Sequence, residues 1–239
     1  MMKYHKKNTL LFLFLLTFSF LFSGESFSDM DKNIPFSTGE KITYSIKKIG
    51  VKAGEATLAF EGTYRLNTKK AYLIVFTVRG LNFFDEEKIF VDPDTFYPVL
   101  VERNLNIWGK KEKISEHYLS GQGQVKIIKN AGGKISEQTI EKKGKLDNIY
   151  SFIYRYRQSG TFQLGENLLM NLPTKDVNLK LKEVTKLKAA GKKFDAYYMT
   201  SDPSQYEVWF DNSAKKIPLK INGAVGFGDT TMVMVDYKE

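Results

Sequence analysis

Phe36-Ser37-Thr38-Gly39-Glu40 and Phe162-Gln163-Leu164-Gly165-Glu166 are one opening written twice: an aromatic residue, two spacers, then Gly-Glu, with strand-like sequence following at once. Downstream of each, an apolar strand meets an acidic turn and a proline begins the next strand. Ile89-Phe90-Val91-Asp92 leads to Pro98-Val99-Leu100, and Val208-Trp209-Phe210-Asp211 leads to Pro218-Leu219-Lys220. Self-similarity in this order predicts a sheet assembled from two similar halves, about residues 35–145 and 160–239.

The residues around the first opening read as β structure. Ile42, Tyr44 and Ile46 alternate with Thr43, Ser45 and Lys47, the period of a strand with one buried face. A turn near Gly50 then leads through Ala53-Gly54-Glu55-Ala56 to Thr57-Leu58-Ala59-Phe60, a hairpin whose small residues mark a bulge or a close backbone approach. Ala71 to Val78 is almost continuously apolar, as in a central strand. Turn chemistry at Asp92-Pro93-Asp94 and glycines at 109, 121, 123, 132 and 133 continue the run as a meander. In the second half, turns at Lys175-Asp176, Ala190-Gly191, Asp202-Pro203, Asp211-Asn212 and Gly226 to Gly228 separate further strands, the last carrying Met232 and Met234.

One helix interrupts the strands. Leu146, Ile149, Tyr150, Ile153, Tyr154 and Tyr156 recur at helical spacing, predicting a helix over about 146–158 that lays an aromatic face on the sheet. Asp147 is placed to cap its N-terminus, and Arg155 and Arg157 suit its C-terminal end or an anion. The fold expected is therefore mainly β: an antiparallel curved sheet or open β-barrel with one main α-helix packed on it.

Lys3, Lys6 and Lys7 precede an uncharged apolar run from Leu10 to Phe22, the layout of a secretory signal, expected to end near Ser28 and to leave residues 29–239 as a single exported β domain. The run is shorter than the roughly 20 residues of a membrane-spanning helix, so the mature form is not expected to span a membrane. The chain has no cysteine, hence neither a disulfide nor a thiol for a lipid anchor. Its formal charge of +9 becomes +7 without residues 1–28, which hold three Lys and one Glu. Those lysines are scattered along strands and turns, as on solvated sheet faces, and a basic surface also suits an anionic envelope partner. Export argues against nucleic acid.

Few residues spell chemistry. His117 has no second histidine beyond the leader to pair with, and there is no Gly-x-Ser-x-Gly elbow, no His-Glu-x-x-His and no phosphate-cradling loop. The trio Asp85-Glu86-Glu87 lacks the loop spelling of a calcium site. Asp92, Asp94, Asp211 and Asp229 are turn residues that only a shared cleft would make a hydrolytic pair. No metal, cofactor or catalytic residue is expected.

Pro35-Phe36 to Gly39-Glu40-Lys41-Ile42-Thr43-Tyr44, the hairpin Ala53-Gly54-Glu55-Ala56, the helix from Asp147 to Arg155, Gly165-Glu166 and the Trp209 to Pro218 hairpin together resemble a domain of unknown function found in exported proteins of Gram-negative bacteria. The likeness covers nearly the whole chain after the leader and implies a secreted or periplasmic protein, without implying an activity. The acidic turn followed by proline is also similar, more loosely, to the open half-barrel carriers of bacterial lipoproteins.

Aromatic abundance and a curved sheet lead to the expectation of an apolar groove that binds a lipid, an acyl chain or a hydrophobic envelope component. Phe76, Phe90, Ile153, Trp209 and Met232 are its candidate lining residues, from central strands and the helix face. The alternatives are a structural or assembly factor that binds another envelope protein through a sheet edge or aromatic patch, and a carboxylate-dependent glycan hydrolase.

Overall fold

Every strand among the described residues pairs antiparallel with its neighbours, and all belong to one sheet. The computed structural model describes residues 34–119, 123–224 and 230–239. The expected leader at residues 1–28, the turns at Gly121 and at Gly226 to Gly228, and Asp229 lie outside the described residues. Eight strands come first: β1 (Glu40–Lys48), β2 (Val51–Leu66), β3 (Lys69–Gly80), β4 (Phe83–Val91), β5 (Pro98–Ile107), β6 (Lys110–Leu119), β7 (Gln124–Ala131) and β8 (Lys134–Glu141). The helix α1 (Ile149–Ser159) follows, then β9 (Asn167–Leu172), β10 (Lys175–Ala189), β11 (Lys192–Ser201), β12 (Glu207–Asp211), β13 (Pro218–Asn222) and β14 (Thr230–Lys238).

Each run is a plain meander, and the two join where β14 returns beside β1, Ile46 opposite Met232. Among the described residues the sheet thus has fourteen strands, with β8 and β9 at its two ends. Twisted sheets of this size curl rather than lie flat. Bulges add to the curl, with register shifts at Thr43/Tyr44, Ile46/Lys47, Phe60/Gly62, Phe90/Val91, Leu181/Glu183 and Trp209/Phe210. The Ile46/Lys47 bulge lies opposite Gly54, where a Cβ would stand 2.5 Å from the Arg79 carbonyl oxygen, so only glycine fits.

The two openings take the same form. Gly39 N donates to Phe60 O at 2.8 Å and Glu40 N to Ser37 O at 3.0 Å; Gly165 N donates to Leu181 O at 2.8 Å and Glu166 N to Gln163 O at 3.1 Å. Both glycines need a positive φ, 90° and 88°. The later acidic turns match too: Asp92 N donates to Tyr97 O at 3.0 Å and Asp211 N to Ile217 O at 2.9 Å, the acceptor in each standing directly before the proline.

Alternation puts Ile42, Tyr44, Leu58, Phe60, Ile74 and Phe76 on the concave face, all buried. The helix fills that concavity. It is buried on most of its circumference, from Tyr150 through Tyr154 to Tyr156 and Arg157, rather than along one face as its periodicity suggested. Two of its tyrosines serve the two openings. Tyr154 packs edge-on against Phe36 at 4.8 Å and donates to Glu40 at 3.2 Å, while Tyr156 packs on Phe162 at 4.4 Å and donates to Glu166 at 2.8 Å.

The N-cap is Asn148 and not Asp147. Its side chain accepts from Tyr150 N at 2.9 Å, and Ser151 Oγ completes a capping box with the Asn148 N–H. Asp147 is drawn away by Arg155, and its other oxygen accepts from Asn171 N at 2.9 Å, which ties the helix start to β9. At the other end Arg157 makes two 2.7 Å bonds to Glu40, with both side chains fully buried. Tyr237 adds a third donor to Glu40 at 3.2 Å. Breaking a buried pair of this kind leaves an uncompensated charge, at a cost of about 3–5 kcal/mol. Both helix arginines are thus engaged by the protein's own carboxylates.

Candidate functional site

Four hairpins of the first half turn at the same end of the strands: Ile49-Gly50, Leu81-Asn82, Trp108-Gly109 and Gly132-Gly133. Inside that mouth, on the concave face, lies an apolar concavity of about 320 Å³. Ile46 and Val78 form its inner wall; Phe83, Ile107, Leu81 and Trp108 form its outer part, and among the described residues Lys48 is the one charged residue lining it. Trp108 N donates to Asn82 O at 2.8 Å, so two neighbouring tips are tied together where the concavity opens.

A second, polar concavity of about 360 Å³ lies at the N-terminus of α1, lined by Glu87, Arg103, Glu116, Tyr118, Asp147 and Asn148 among others. Arg103 Nε donates to Asp85 Oδ1 at 2.8 Å and stands 3.5 Å from Glu87 Oε1. Asn148 Nδ2 donates to Glu87 Oε2 at 3.3 Å, and Tyr118 donates to Glu116 at 2.6 Å. Burial pushes the Glu87 carboxyl up to about 7; Arg103 opposes this, while Asp85 and Glu116 reinforce it. Asp147 is raised as well, again chiefly by burial. Burial also raises the Tyr118 and Tyr150 hydroxyls well above the usual range, so they act as donors.

Of the acidic trio, Asp85 and Glu87 share the concave face and one guanidinium, while the intervening Glu86 points the other way. Among the described residues no group of three or more His, Cys, Asp or Glu is placed to hold a metal ion. His117 is exposed, 3.2 Å from the Ser115 hydroxyl. No helix among the described residues is long and apolar enough to cross a membrane.

The candidate lining residues divide between the two faces of the sheet. Phe76, Ile153 and Met232 point inward and are buried, Phe76 stacking on Tyr150 at 3.9 Å. Met232 stands opposite Ile46 of the apolar concavity, and Phe76 is two residues before Val78 on the same face. Phe90 and Trp209 lie on the convex face, Phe90 against Tyr64 at 5.0 Å and Trp209 stacked on Tyr198 at 4.7 Å under the Lys220 ammonium. The sheet does not bring these two to the other three. Sequence reasoning missed Trp108, Ile107 and Leu81. The available signal was a large apolar residue beside Gly or Asn in a two-residue turn, where polar residues are the rule.

Among curated proteins none matches the chain. Among solved structures, a β-barrel-like protein of domain of unknown function DUF1849 from Brucella abortus is similar at a TM-score of 0.50 and 8% identity, over 84% of this chain and 97% of that one. A candidate lipoprotein from Parabacteroides distasonis is similar at a TM-score of 0.32 and 9% identity, over 86% of this chain and 97% of that one. The first likeness is one of fold, an open β-barrel-like sheet, and neither carries an activity across. The family is set by the sequence itself: residues 41–235 match the profile described as protein of unknown function (DUF3108), and the chain belongs to that family.

Proposed function

We propose that this is a non-catalytic exported protein of the periplasm whose mouth concavity takes the apolar part of a lipid-like ligand. The observation that carries the reading is the concavity itself, about 320 Å³ walled by Ile46, Val78, Phe83 and Ile107. That volume is at the lower end for small-molecule sites, which are concave and mostly apolar with few polar groups. Lys48 supplies one cation for an anionic headgroup at the opening. Phe76 and Met232 support the inner wall from the packed core behind it. Export rests on the leader-like residues 1–28.

The non-catalytic part of the reading rests on how the carboxylates are used. Asp92 and Asp211 spend their oxygens on the N–H and hydroxyl groups of their own turns. Asp85 and Glu87 are held by Arg103. A second reading, an assembly factor that contacts another envelope protein, is favoured by the degree to which α1 and its aromatics already fill the interior. Titration with a fluorescent fatty acid separates the two. The native protein is expected to take up the probe, and Ile107→Glu, which sets a charge at a half-buried wall position, is expected to weaken uptake about tenfold or more. No uptake by the native protein, or uptake untouched by Ile107→Glu, would remove the lipid reading.

A further inference from the structure

Among the described residues, the five most exposed large apolar side chains are Ile49 (89%), Leu81 (87%), Trp108 (73%), Val51 (70%) and Ile135 (68%). All five stand in the four hairpins at the mouth end of β1 to β8. Adjacent strands are about 4.8 Å apart, so successive tips stand roughly 10 Å apart, in a row on the order of 30 Å long. Of the second half's turns at this end, Pro173-Thr174 and Asp202 to Gln205 carry no such residue, and the turn after β13 is described only at Gly223-Ala224.

Folding does not account for these side chains. Ile49 and Trp108 have φ values of 49° and 52°, in two-residue turns whose glycines also have positive φ. Asn, Asp or Gly is favoured at such positions, and a β-branched residue is strained there. Backbone preference and solvent exposure both ask for a polar residue, and both are overridden.

Cations surround the tips. Lys47, Lys48, Arg79, Lys110 and Lys111 are all exposed in the same hairpins, and the nearby Glu55 is already paired with Lys52 at 2.7 Å. We infer that this row is a docking face for an anionic phospholipid bilayer, with Ile49, Leu81 and Trp108 entering the boundary between headgroups and acyl chains and the lysines resting on lipid phosphates. Separate protruding tips suit a fluid surface that closes around each one, whereas a protein partner calls for a contiguous, close-packed patch. Tryptophan favours such interfaces, and lysines near an anionic surface add to the attraction. The inference does not depend on the concavity holding a ligand, although docking would bring its opening to the bilayer.

Trp108 is a built-in reporter, since the other tryptophan, Trp209, is buried against Tyr198. The protein, purified in its processed form from the cell envelope, is mixed with vesicles of phosphatidylethanolamine and phosphatidylglycerol, or of phosphatidylcholine alone. Trp108 emission should shift to the blue and be quenched by brominated acyl chains on the anionic vesicles only, with the response weakened by salt. Ile49→Asn with Val51→Ser should lower vesicle affinity about tenfold, as loss of buried apolar area requires, while the thermal midpoint stays level or rises. Unchanged Trp108 emission on anionic vesicles, an equal and salt-independent response on phosphatidylcholine, or full affinity in the double variant would each overturn the inference. Fatty-acid uptake reports on the concavity alone, so the two readings fail separately.

Discussion

Glu87 lies in the polar concavity with Asp85 on the same face and Glu116 nearby, and one guanidinium, that of Arg103, stands against them. Its carboxyl titrates near 7 in the folded protein and at an ordinary carboxylate value in the unfolded chain. Between those values the folded state binds more protons, so stability from this site is fully present below the unfolded value and falls as pH rises through about 7. Glu87→Gln is therefore expected to stabilise the protein by about 1–3 kcal/mol at pH near 8 and to change little at pH near 5. Denaturant unfolding at the two pH values checks this, and an equal effect at both would contradict it. Glu40 is more deeply buried, yet it has a dedicated bidentate arginine and two tyrosine donors, so its charge is matched group for group.

At the scale of elements, the helix shows what one sequence can and cannot convey. Its periodicity locates it within a few residues, because aromatics at three-to-four spacing have only one regular structure to suit them. The cap is one residue off, since Asp147 and Asn148 are both good capping types and only the surroundings choose: Arg155 and the Asn171 N–H claim the aspartate. Asn148→Ala should then cost about 1 kcal/mol of stability, whereas a loss below a few tenths would mean that the capping box contributes little. Enclosure of the helix was not legible either. A one-faced pattern and an all-round aromatic one differ little in eleven residues, and it is the curl of a fourteen-stranded sheet that decides between them. Burial on both faces explains the division of the candidate lining residues. Phe90 and Trp209 stand in runs buried throughout, Ile89-Phe90-Val91 and Val208-Trp209-Phe210, where apolar character alone does not say which side faces in.

Across the whole molecule, the fold was legible because it is written in local signals: turn glycines, alternating strands, and an opening whose hydrogen bonds recur at Gly39 and Gly165. The mouth was not, because it is formed by hairpin tips far apart in sequence, and because Trp108 and Ile49 contradict the polar expectation for turns instead of following it. What emerges is a curved sheet closed from within by its own helix, with an apolar space at one end and exposed apolar tips ranged around it. The measurement that tests this account most directly is native mass spectrometry of the protein purified gently from the cell envelope, followed by solvent extraction of whatever stays bound. The account predicts one apolar lipid per chain, absent from Ile107→Glu. A bare protein mass that takes up neither added fatty acid nor phospholipid would contradict it.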